Sequence, residues 1–381
     1  MKRVGIITLY RGYNYGTSLQ AYALKTVIQE MGYKAEILWT KENTHSGRDI
    51  RVDKIVRIAC RILIHRELRK RTINGYRRSI GMPIDPMIKD RFLDFERTEL
   101  QVKGLSKKEL RQYARSADTQ AMVCGSDQIW SAAGANVEPL YYLTFVPDGK
   151  RVAYAPSFGS SHIPDYNKKL IKKYLSGFSR ISVREPQGVH ILKDLTGKTA
   201  PVVLDPTFLL HWDQWKTIQR ESYLVMYFLN EPSEAVVKSI ARIRDKENCR
   251  IYALPYRFDG YKEIKDIDYI LAGPKDFVNL IRNAKCVFTD SFHGTAFSIN
   301  LNVPFWTFAR NHGSEVAEQS SRITAILDQL SLSQQYVRIN QPENLNIPVI
   351  DFSTANSILS EQREYSKKFL RESLESATAK G

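Results

Sequence analysis

The sequence lacks the cysteine and histidine spacings that mark disulfide frameworks and structural metal sites. Its four cysteines, Cys60, Cys124, Cys249 and Cys286, lie far apart and form no C-x-x-C pair. Its seven histidines show neither H-E-x-x-H nor H-x-H spacing. Cys124 and Cys286 lie in apolar runs that predict buried strands. The pattern therefore predicts free thiols in a reducing compartment and no metal ion.

The sequence also lacks a long apolar run. None reaches the roughly 18 residues that a membrane span requires. The N-terminus is basic and then apolar, as in a signal peptide, but the apolar run extends only from Val4 to Tyr10 and Arg11 follows it. A buried first strand explains this segment better than an export signal. The expectation is a soluble, cytoplasmic protein.

What the chain has in excess is positive charge. Its 56 Lys and Arg outnumber 41 Asp and Glu, for a net charge of +15 over 381 residues. This balance predicts an anionic partner, which could be a phosphate-bearing substrate, a membrane surface or nucleic acid. Charge alone does not choose among them. The length favours two domains.

Strands and helices alternate along both halves of the sequence. Val4–Leu9 has the composition of a strand, Ser18–Met31 has a helical apolar stripe and Ala35–Trp39 is the next strand. The same rhythm resumes at Ala121–Cys124 and again at Tyr223–Leu229. Such alternation predicts an α/β protein with two Rossmann-like domains, each with a parallel sheet, and a cleft between them.

The predicted domain division follows from these two series. The first domain covers residues 1–205 and contains a basic helical insertion at about 40–117. The second covers residues 206–350. A polar C-terminal tail, residues 351–381, is expected to be helical and to pack back on the first domain.

Ligands of open parallel sheets bind at the carboxyl ends of the strands, so the loops after strands are the candidate sites. Asn14 and Gly16 lie in the loop between the first strand and the first helix. A glycine permits close backbone approach, and a helix N-terminus attracts anions. The alternative is a tight turn with Ser18 as the N-cap.

A second loop follows the strand that ends at Cys124. It offers a hydroxyl, a carboxylate, an amide and an aromatic ring in Ser126, Asp127, Gln128 and Trp130. Sugar sites combine hydrogen-bonding side chains with an aromatic face, so this loop is a candidate acceptor site. The alternative is a helix cap beside a core tryptophan.

Arg184 closes another predicted strand as a fixed cation. Its planar guanidinium suits a carboxylate or a phosphate. The alternative is an ion pair with Glu185 or Asp205. Further along the chain, Ser320 and Ser321 are expected to cap a helix at which Arg322 adds another cation.

His293 follows the predicted strand Cys286–Thr289, with Ser291 and Gly294 beside it. A histidine at this place can act as a general acid or bind an anion. A purely structural histidine is the alternative. The D-x-D triplet at residues 266–268 precedes its strand, so it is rejected as a metal site.

Seven segments, taken in order, resemble the polysaccharide pyruvyl transferase family over residues 4 to 325. They are N-Y-G-T-S-L-Q-A-Y-A-L, G-S-D-Q-I-W, Y-A-P-S-F-G, S-V-R-E, L-D-P-T, D-S-F-H-G-T-A-F-S and S-S-R-I. The resemblance implies a fold similar to the two-domain glycosyltransferase B arrangement. It also implies transfer of the enolpyruvyl group of phosphoenolpyruvate to a sugar of a surface polysaccharide or its lipid-linked precursor, forming a pyruvate ketal.

The resemblance carries residue roles with it. Arg184 matches an arginine that contacts phosphoenolpyruvate, and His293 matches the family histidine. Some members have arginine and leucine where this chain has Ser291 and Phe292, which removes one expected cation. Arg322 is the candidate replacement.

The roles expected from the resemblance and from the chemistry of enolpyruvyl transfer fall into three sets. The catalytic set is His293 as the acid and Asp127 as either the base or the group that orients the acceptor hydroxyl. The donor-binding set is Arg184, Arg322, Ser291, Gly294, Asn14 and Gly16. The acceptor-binding set is Ser126, Gln128 and Trp130. No cofactor is expected.

The sequence is also compatible with two other functions. The first is a nucleotide-sugar-dependent glycosyltransferase of similar fold. The second is a non-enzymatic basic protein that binds membrane or nucleic acid through residues 48–78. That segment has eleven Lys or Arg against three acidic residues, a net charge of +8, with apolar residues at helical spacing. It predicts either peripheral contact with the inner membrane face or a helix packed on the first domain. No recognised nucleic-acid-binding fold accompanies it.

Overall fold

A computed structural model describes most of the chain. The described residues are 1–40, 84–132, 134, 137–217, 222–254, 266–309, 315–338 and 345–377, with short pieces at 44–45, 48–49, 59–60, 62–64 and 69. Most of the basic segment 48–78 lies outside them, so its membrane contact stays a prediction.

The first sheet has six parallel strands and lies in the N-terminal half. Its order is β5-β2-β1-β6-β7-β8. A two-residue hairpin, β3 with β4, is separate from it. The strands of this half are β1 (Arg3–Ile7), β2 (Lys34–Trp39), β3 (Thr44–His45), β4 (Arg48–Asp49), β5 (Lys103–Gly104), β6 (Thr119–Cys124), β7 (Arg151–Ala153) and β8 (Arg180–Ile181).

Helices connect the strands of this sheet. They are α1 (Tyr15–Glu30), α2 (Pro86–Phe95), α3 (Lys107–Arg115), α4 (Asp165–Leu175) and α5 (Pro186–Thr196). A π-helical turn, Glu96–Leu100, continues α2. Because β5 pairs with β2, part of the predicted insertion at 40–117 belongs to the first sheet.

The second sheet repeats the same order as β11-β10-β9-β12-β13-β14, again all parallel. Its strands are β9 (Tyr223–Tyr227), β10 (Arg250–Ala253), β11 (Ile267–Tyr269), β12 (Cys286–Thr289), β13 (Phe305–Phe308) and β14 (Tyr336–Val337). Its helices are α6 (Glu234–Glu247), α7 (Pro274–Arg282), α8 (Phe292–Asn300) and α9 (Glu315–Gln329). Within each half the strands run 3-2-1-4-5-6, the order of a Rossmann fold. The predicted fold class is confirmed, and the predicted division at residue 205 falls between the two sheets.

The last helix, α10 (Ser353–Glu375), packs on the first half. The Gln120 side chain donates to the carbonyl oxygen of Leu374 at 2.9 Å. The backbone N–H of Leu204 donates to the Ser366 hydroxyl at 3.0 Å. The predicted helical tail that returns to the first domain is therefore confirmed.

Three local predictions are wrong for identifiable reasons. Helix α1 begins at Tyr15, because the Asn14 side chain caps it by accepting from the Thr17 N–H at 3.2 Å. The Ser18 hydroxyl instead donates to the carbonyl oxygen of Tyr10, so Ser18 is not the N-cap. Residues 320–322 lie inside α9 and do not cap it. The apolar segment Pro201–Leu204 also predicts a strand from the sequence, but in the structure only one bridge forms there, between Val183 and Val202.

Aromatic packing joins the two halves beside the first helix. The ring of Tyr15 stacks on Phe277 of α7, with centroids 4.6 Å apart and planes 9° apart. Its hydroxyl donates to the carbonyl oxygen of Ala272 at 3.2 Å. Such a pair contributes about 0.5–1.5 kcal/mol beyond the area that it buries. The start of α1 is thereby held against the second half.

Candidate active site

The candidate site lies where the loops after β1 and β6 meet the start of α8. Gly16 marks the contact, because a Cβ added there would lie 1.9 Å from Nδ1 of His293. Only a residue without a side chain lets the imidazole pack on the first turn of α1. Two predicted site residues from opposite ends of the sequence are thus brought together.

Asp127 is the carboxylate that the first half contributes. The Thr17 hydroxyl donates to its Oδ2 at 2.8 Å, and its Oδ1 lies 3.9 Å from Arg184 Nη1. The residue has a φ of 63°, in the left-handed region that aspartate tolerates better than most residues. Its side chain keeps 12% of its surface exposed, more than the side chains of Arg184 and Asp205.

Arg184 is the buried cation of the site, with only 3% of its side chain exposed. Its Nη1 donates to Asp205 Oδ2 at 2.9 Å, and its Nε lies 3.4 Å from Glu185 Oε2. Its guanidinium lies 4.7 Å from the ring centroid of Phe292 in α8, within cation–π range. Its Nη2 is buried and has no hydrogen-bond partner among the described residues.

The charge on Arg184 is stable despite its burial. Burial opposes the charged form, but the nearby carboxylates of Glu185, Asp205 and Asp127 outweigh burial and raise the pKa of the guanidinium. Removing one partner of such a buried pair costs about 3–5 kcal/mol, because the other charge is left uncompensated. The arginine is therefore a permanent cation with one donor to spare.

Asp205 is the carboxylate at which the contacts converge, and it is fully buried. The N–H and the hydroxyl of Thr207 donate to its Oδ1 at 3.0 and 2.8 Å. The Ser126 hydroxyl lies 3.1 Å from its Oδ2. Burial alone would raise its pKa, but His293, Arg184 and the Thr207 hydrogen bond together lower it.

His293 lies at the start of α8 with its Nε2 3.9 Å from Asp205 Oδ2. That separation is too long for a hydrogen bond, and Nε2 has no hydrogen-bond partner in the described part of the chain. Burial lowers its pKa, against the opposing effect of Asp205 and Asp127. The surroundings of His293 therefore favour the neutral form of the imidazole.

Arg322 of α9 lines a small pocket together with Arg184, Asp205 and Phe292. The amide of Gln128 is best oriented with its oxygen toward this arginine. Oε1 then accepts from Nη2 at 2.9 Å and from Nη1 at 3.0 Å. The Gln128 amide of the first half thus holds the Arg322 guanidinium of the second half.

Several predicted binding residues have local structural contacts. Ser291 caps α8 by accepting from the Gly294 N–H at 3.4 Å. Gly294 packs on Thr289, whose Oγ1 would lie 2.4 Å from an added Cβ. Asn14 caps α1, as described above. The Ser126 hydroxyl is shared between Asp205 and the carbonyl oxygen of Ala155.

Trp130 lies in the core of the first half and has no exposed surface. Its ring stacks on Tyr142 with centroids 5.4 Å apart, and its Nε1 donates to the carbonyl oxygen of Tyr141 at 3.1 Å. This is the core-tryptophan alternative considered from the sequence. The indole leaves no face for a sugar.

Sequence reasoning did not assign the most connected residues of the site. Asp205 and Glu185 were expected only as possible ion-pair partners of Arg184, and Thr17 had no role. Asp205 does lie in L-D-P-T, directly after an apolar run, which was the available signal.

Within the residues described, no group of three or more His, Cys, Asp or Glu is placed to hold a metal ion. In the same residues, no helix is long and apolar enough to cross a membrane.

Comparison with solved structures finds similar chains at low sequence identity. MurG of Acinetobacter baumannii is 10% identical with a TM-score of 0.46, over 98% of this chain and 99% of that one. The UDP-GlcNAc 2-epimerase of Neisseria meningitidis bound to UDP-GlcNAc is 10% identical with a TM-score of 0.46, over 95% and 99%. UGT89C1 of Arabidopsis thaliana complexed with UDP is 11% identical with a TM-score of 0.44, over 99% and 94%.

A search of curated proteins finds no match to this sequence. The sequence pattern of one family does match, over residues 14–312, which is more than three quarters of the chain. The matched range includes Asp127, Arg184, Asp205 and His293. The chain therefore belongs to the polysaccharide pyruvyl transferase family.

Proposed function

We propose that this protein transfers the enolpyruvyl group of phosphoenolpyruvate to a sugar of a surface polysaccharide or its lipid-linked precursor, in the cytoplasm, and forms a pyruvate ketal. One observation carries the proposal beyond the family. The buried Arg184 has an unpartnered Nη2, and the buried His293 has an unpartnered Nε2, on either side of Asp205. A small dianion with a reactive methylene group suits a cation and an acid placed so close together.

The two guanidiniums bind the donor in this proposal. Arg184 and Arg322 line one pocket and supply charge-assisted hydrogen bonds to phosphate and carboxylate oxygens. Gly16 and the first turns of α1 and α8 bring backbone N–H groups and helix dipoles to the same place. Phe292 excludes water from one face of Arg184, which strengthens its attraction for an anion.

His293 is the general acid. Burial lowers its pKa, and the negative charges of a bound donor oppose that effect. Protonated at Nε2, it gives its proton to the methylene carbon of the donor, which becomes a methyl group and leaves positive charge on the neighbouring carbon.

Asp127 is the base that takes up the first acceptor proton. A sugar hydroxyl attacks the cationic carbon while its proton passes to Asp127. The bond from that carbon to the phosphate oxygen then breaks, and a second hydroxyl attacks the same carbon. The second proton leaves with the phosphate, and proton exchange through solvent restores His293 and Asp127. Two hydroxyls and one donor thus give one ketal and one phosphate.

Calorimetry with phosphoenolpyruvate tests the donor. We expect binding to the wild type and binding weakened about 10- to 100-fold in Arg184→Ala, because charged hydrogen bonds are lost. Arg97→Ala is the matched control, since that arginine pairs with Asp94 on the surface, 80% exposed, and its loss should leave binding unchanged. Tight binding of a nucleotide sugar with no binding of phosphoenolpyruvate would replace this proposal with a glycosyltransferase.

A further inference from the structure

We propose that Asp205 is a positioning residue that couples the donor-holding arginine of the first half to the acid histidine of the second. This inference deepens the proposed function and rests on it for the roles of Arg184 and His293. The coupling itself is a property of the protein without substrate, so it is measurable whether or not phosphoenolpyruvate is the donor.

The position of Asp205 in the fold supports this role. It lies between the two sheets, directly before a 3₁₀ turn, Pro206–Leu209, whose Thr207 holds its Oδ1 with two hydrogen bonds. Because Oδ1 is fixed in this way, Oδ2 has a defined direction. It points into the site, toward Arg184 Nη1 at 2.9 Å and His293 Nε2 at 3.9 Å.

A single carboxylate oxygen therefore faces both functional side chains. The Ser126 hydroxyl, 3.1 Å away, adds a contact from the loop that carries Asp127. Contacts from three segments that are distant in sequence converge on one fully buried atom. A shift of Asp205 would move the guanidinium and would also remove the counter-charge of the imidazole.

The charges around His293 give Asp205 a second effect. Asp205 and Asp127 favour the imidazolium, whereas burial, Arg184 and Arg322 oppose it. The start of α1, packed on the ring through Gly16, also presents its positive end. Asp205 is the nearer of the two carboxylates by the contacts observed, since Asp127 makes no ion pair with the histidine among the described residues. Without Asp205, the His293 imidazole would be harder to protonate.

Glu185 provides a matched comparison. Its carboxylate also contacts Arg184, at 3.4 Å from Nε, and it is held by the Ser157 hydroxyl at 2.6 Å. It is not among the charged groups that act on His293. Removing Glu185 takes a carboxylate from the arginine only, whereas removing Asp205 takes one from both.

The test is an NMR titration of the His293 imidazole in the full-length protein without ligand, with the signal assigned by its loss in His293→Gln. We expect Asp205→Asn to lower the pKa of His293 below that of the wild type, because a negative charge is removed. Glu185→Gln should leave it unchanged. With the donor, Asp205→Asn should lower kcat about 100-fold, the effect of a misplaced catalytic group, and move its loss at high pH to lower pH.

An unchanged His293 titration in a folded Asp205→Asn variant overturns the inference, as does an equal shift in Glu185→Gln. If circular dichroism shows Asp205→Asn to be unfolded, Arg184→Gln replaces it. That variant removes a cation that acts on His293 both directly and through Asp205, and it keeps an amide donor, so the pKa of His293 should rise. A titration that does not move there overturns the coupling as well. Failure of phosphoenolpyruvate to bind the wild type would count against the proposed function. The titration of His293 without ligand would still test the role of Asp205.

Discussion

The two halves of the molecule share one strand order but use their central loops differently. In each half, the loop after the fourth strand lies at the point where the strand order reverses, and each loop carries an aspartate there. In the first half, Asp127 reaches the cleft and receives the Thr17 hydroxyl. In the second, Asp290 is 2% exposed and accepts from the N–H groups of Leu229 and Asn230 at 2.6 and 3.0 Å.

The two halves therefore use the aspartate at the same topological position for different purposes. The carboxylate of Asp290 ties the loop after β12 to the loop after β9, so the second half is fixed at its reversal point. His293 lies one turn further along, in the helix that follows this loop. In the first half, 12% of the Asp127 side chain is exposed, and we propose that a sugar hydroxyl reaches its carboxylate there.

The largest expected effect is that of replacing His293. His293→Ala should lower turnover about 10²- to 10⁴-fold, because a general acid is lost. Phosphate release on a proven acceptor measures it, and a melting curve close to wild type shows that the fold persists. Near-normal turnover in a folded His293→Ala variant would show that His293 is not the general acid.

A pair of matched substitutions tests whether Asp127 and Asp290 have different roles, one in catalysis and one in stability. Asp127→Asn should cost about 100-fold or more in turnover with a small change in melting temperature, because a base is lost while the shape is kept. Asp290→Asn should mainly lower stability, by about 1–3 kcal/mol, since one of two half-buried N–H groups loses its acceptor. Urea unfolding and phosphate release, measured on both, give the contrast. The reverse pattern would contradict it.

The contact between the halves is tested at Gly16. Gly16→Ala should lower turnover by about 100-fold, because the new Cβ would displace the His293 ring. Gly104→Ala is the control, since nothing lies within 4 Å of the added Cβ on the edge strand β5. Equal activity of the two variants would show that the histidine does not depend on this packing.

The pH dependence sharpens the role of His293. The proposed mechanism requires the protonated form, and burial lowers the pKa of His293. As pH rises, kcat/KM should therefore fall first, through that lowered pKa. The decline of kcat should begin at a higher pH, because bound donor charge favours the imidazolium. Coincident declines would contradict this account.

The smallest expected effect concerns the basic segment that the first half carries and the second does not. Changing Arg51, Lys54, Arg57 and Arg61 to Gln should reduce co-sedimentation with anionic vesicles, and leave the weak recovery with neutral vesicles unchanged. Equal recovery of wild type and variant with both lipids would favour the alternative, a helix packed on its own domain.

Much of the fold was predictable because its signals are local. Alternating strand and helix periods predicted both parallel sheets and the helical tail, and glycine and Asx residues at strand ends predicted the loops of the site. Errors arose where two local signals competed. Asn14 and Ser18 are both good caps, and only the contact of Ser18 with Tyr10 decided between them.

What the sequence alone determined is the class of fold, the family and the strand-end positions of Asp127, Arg184 and His293. Periodicity and short motifs specify these features because they depend on residues that are close together in the chain. Only the tertiary structure decided that Asp205 is the shared partner of Arg184 and His293, and that Trp130 belongs to the core. Those contacts join residues that are distant in sequence, and burial and charge at such junctions depend on how the two halves pack.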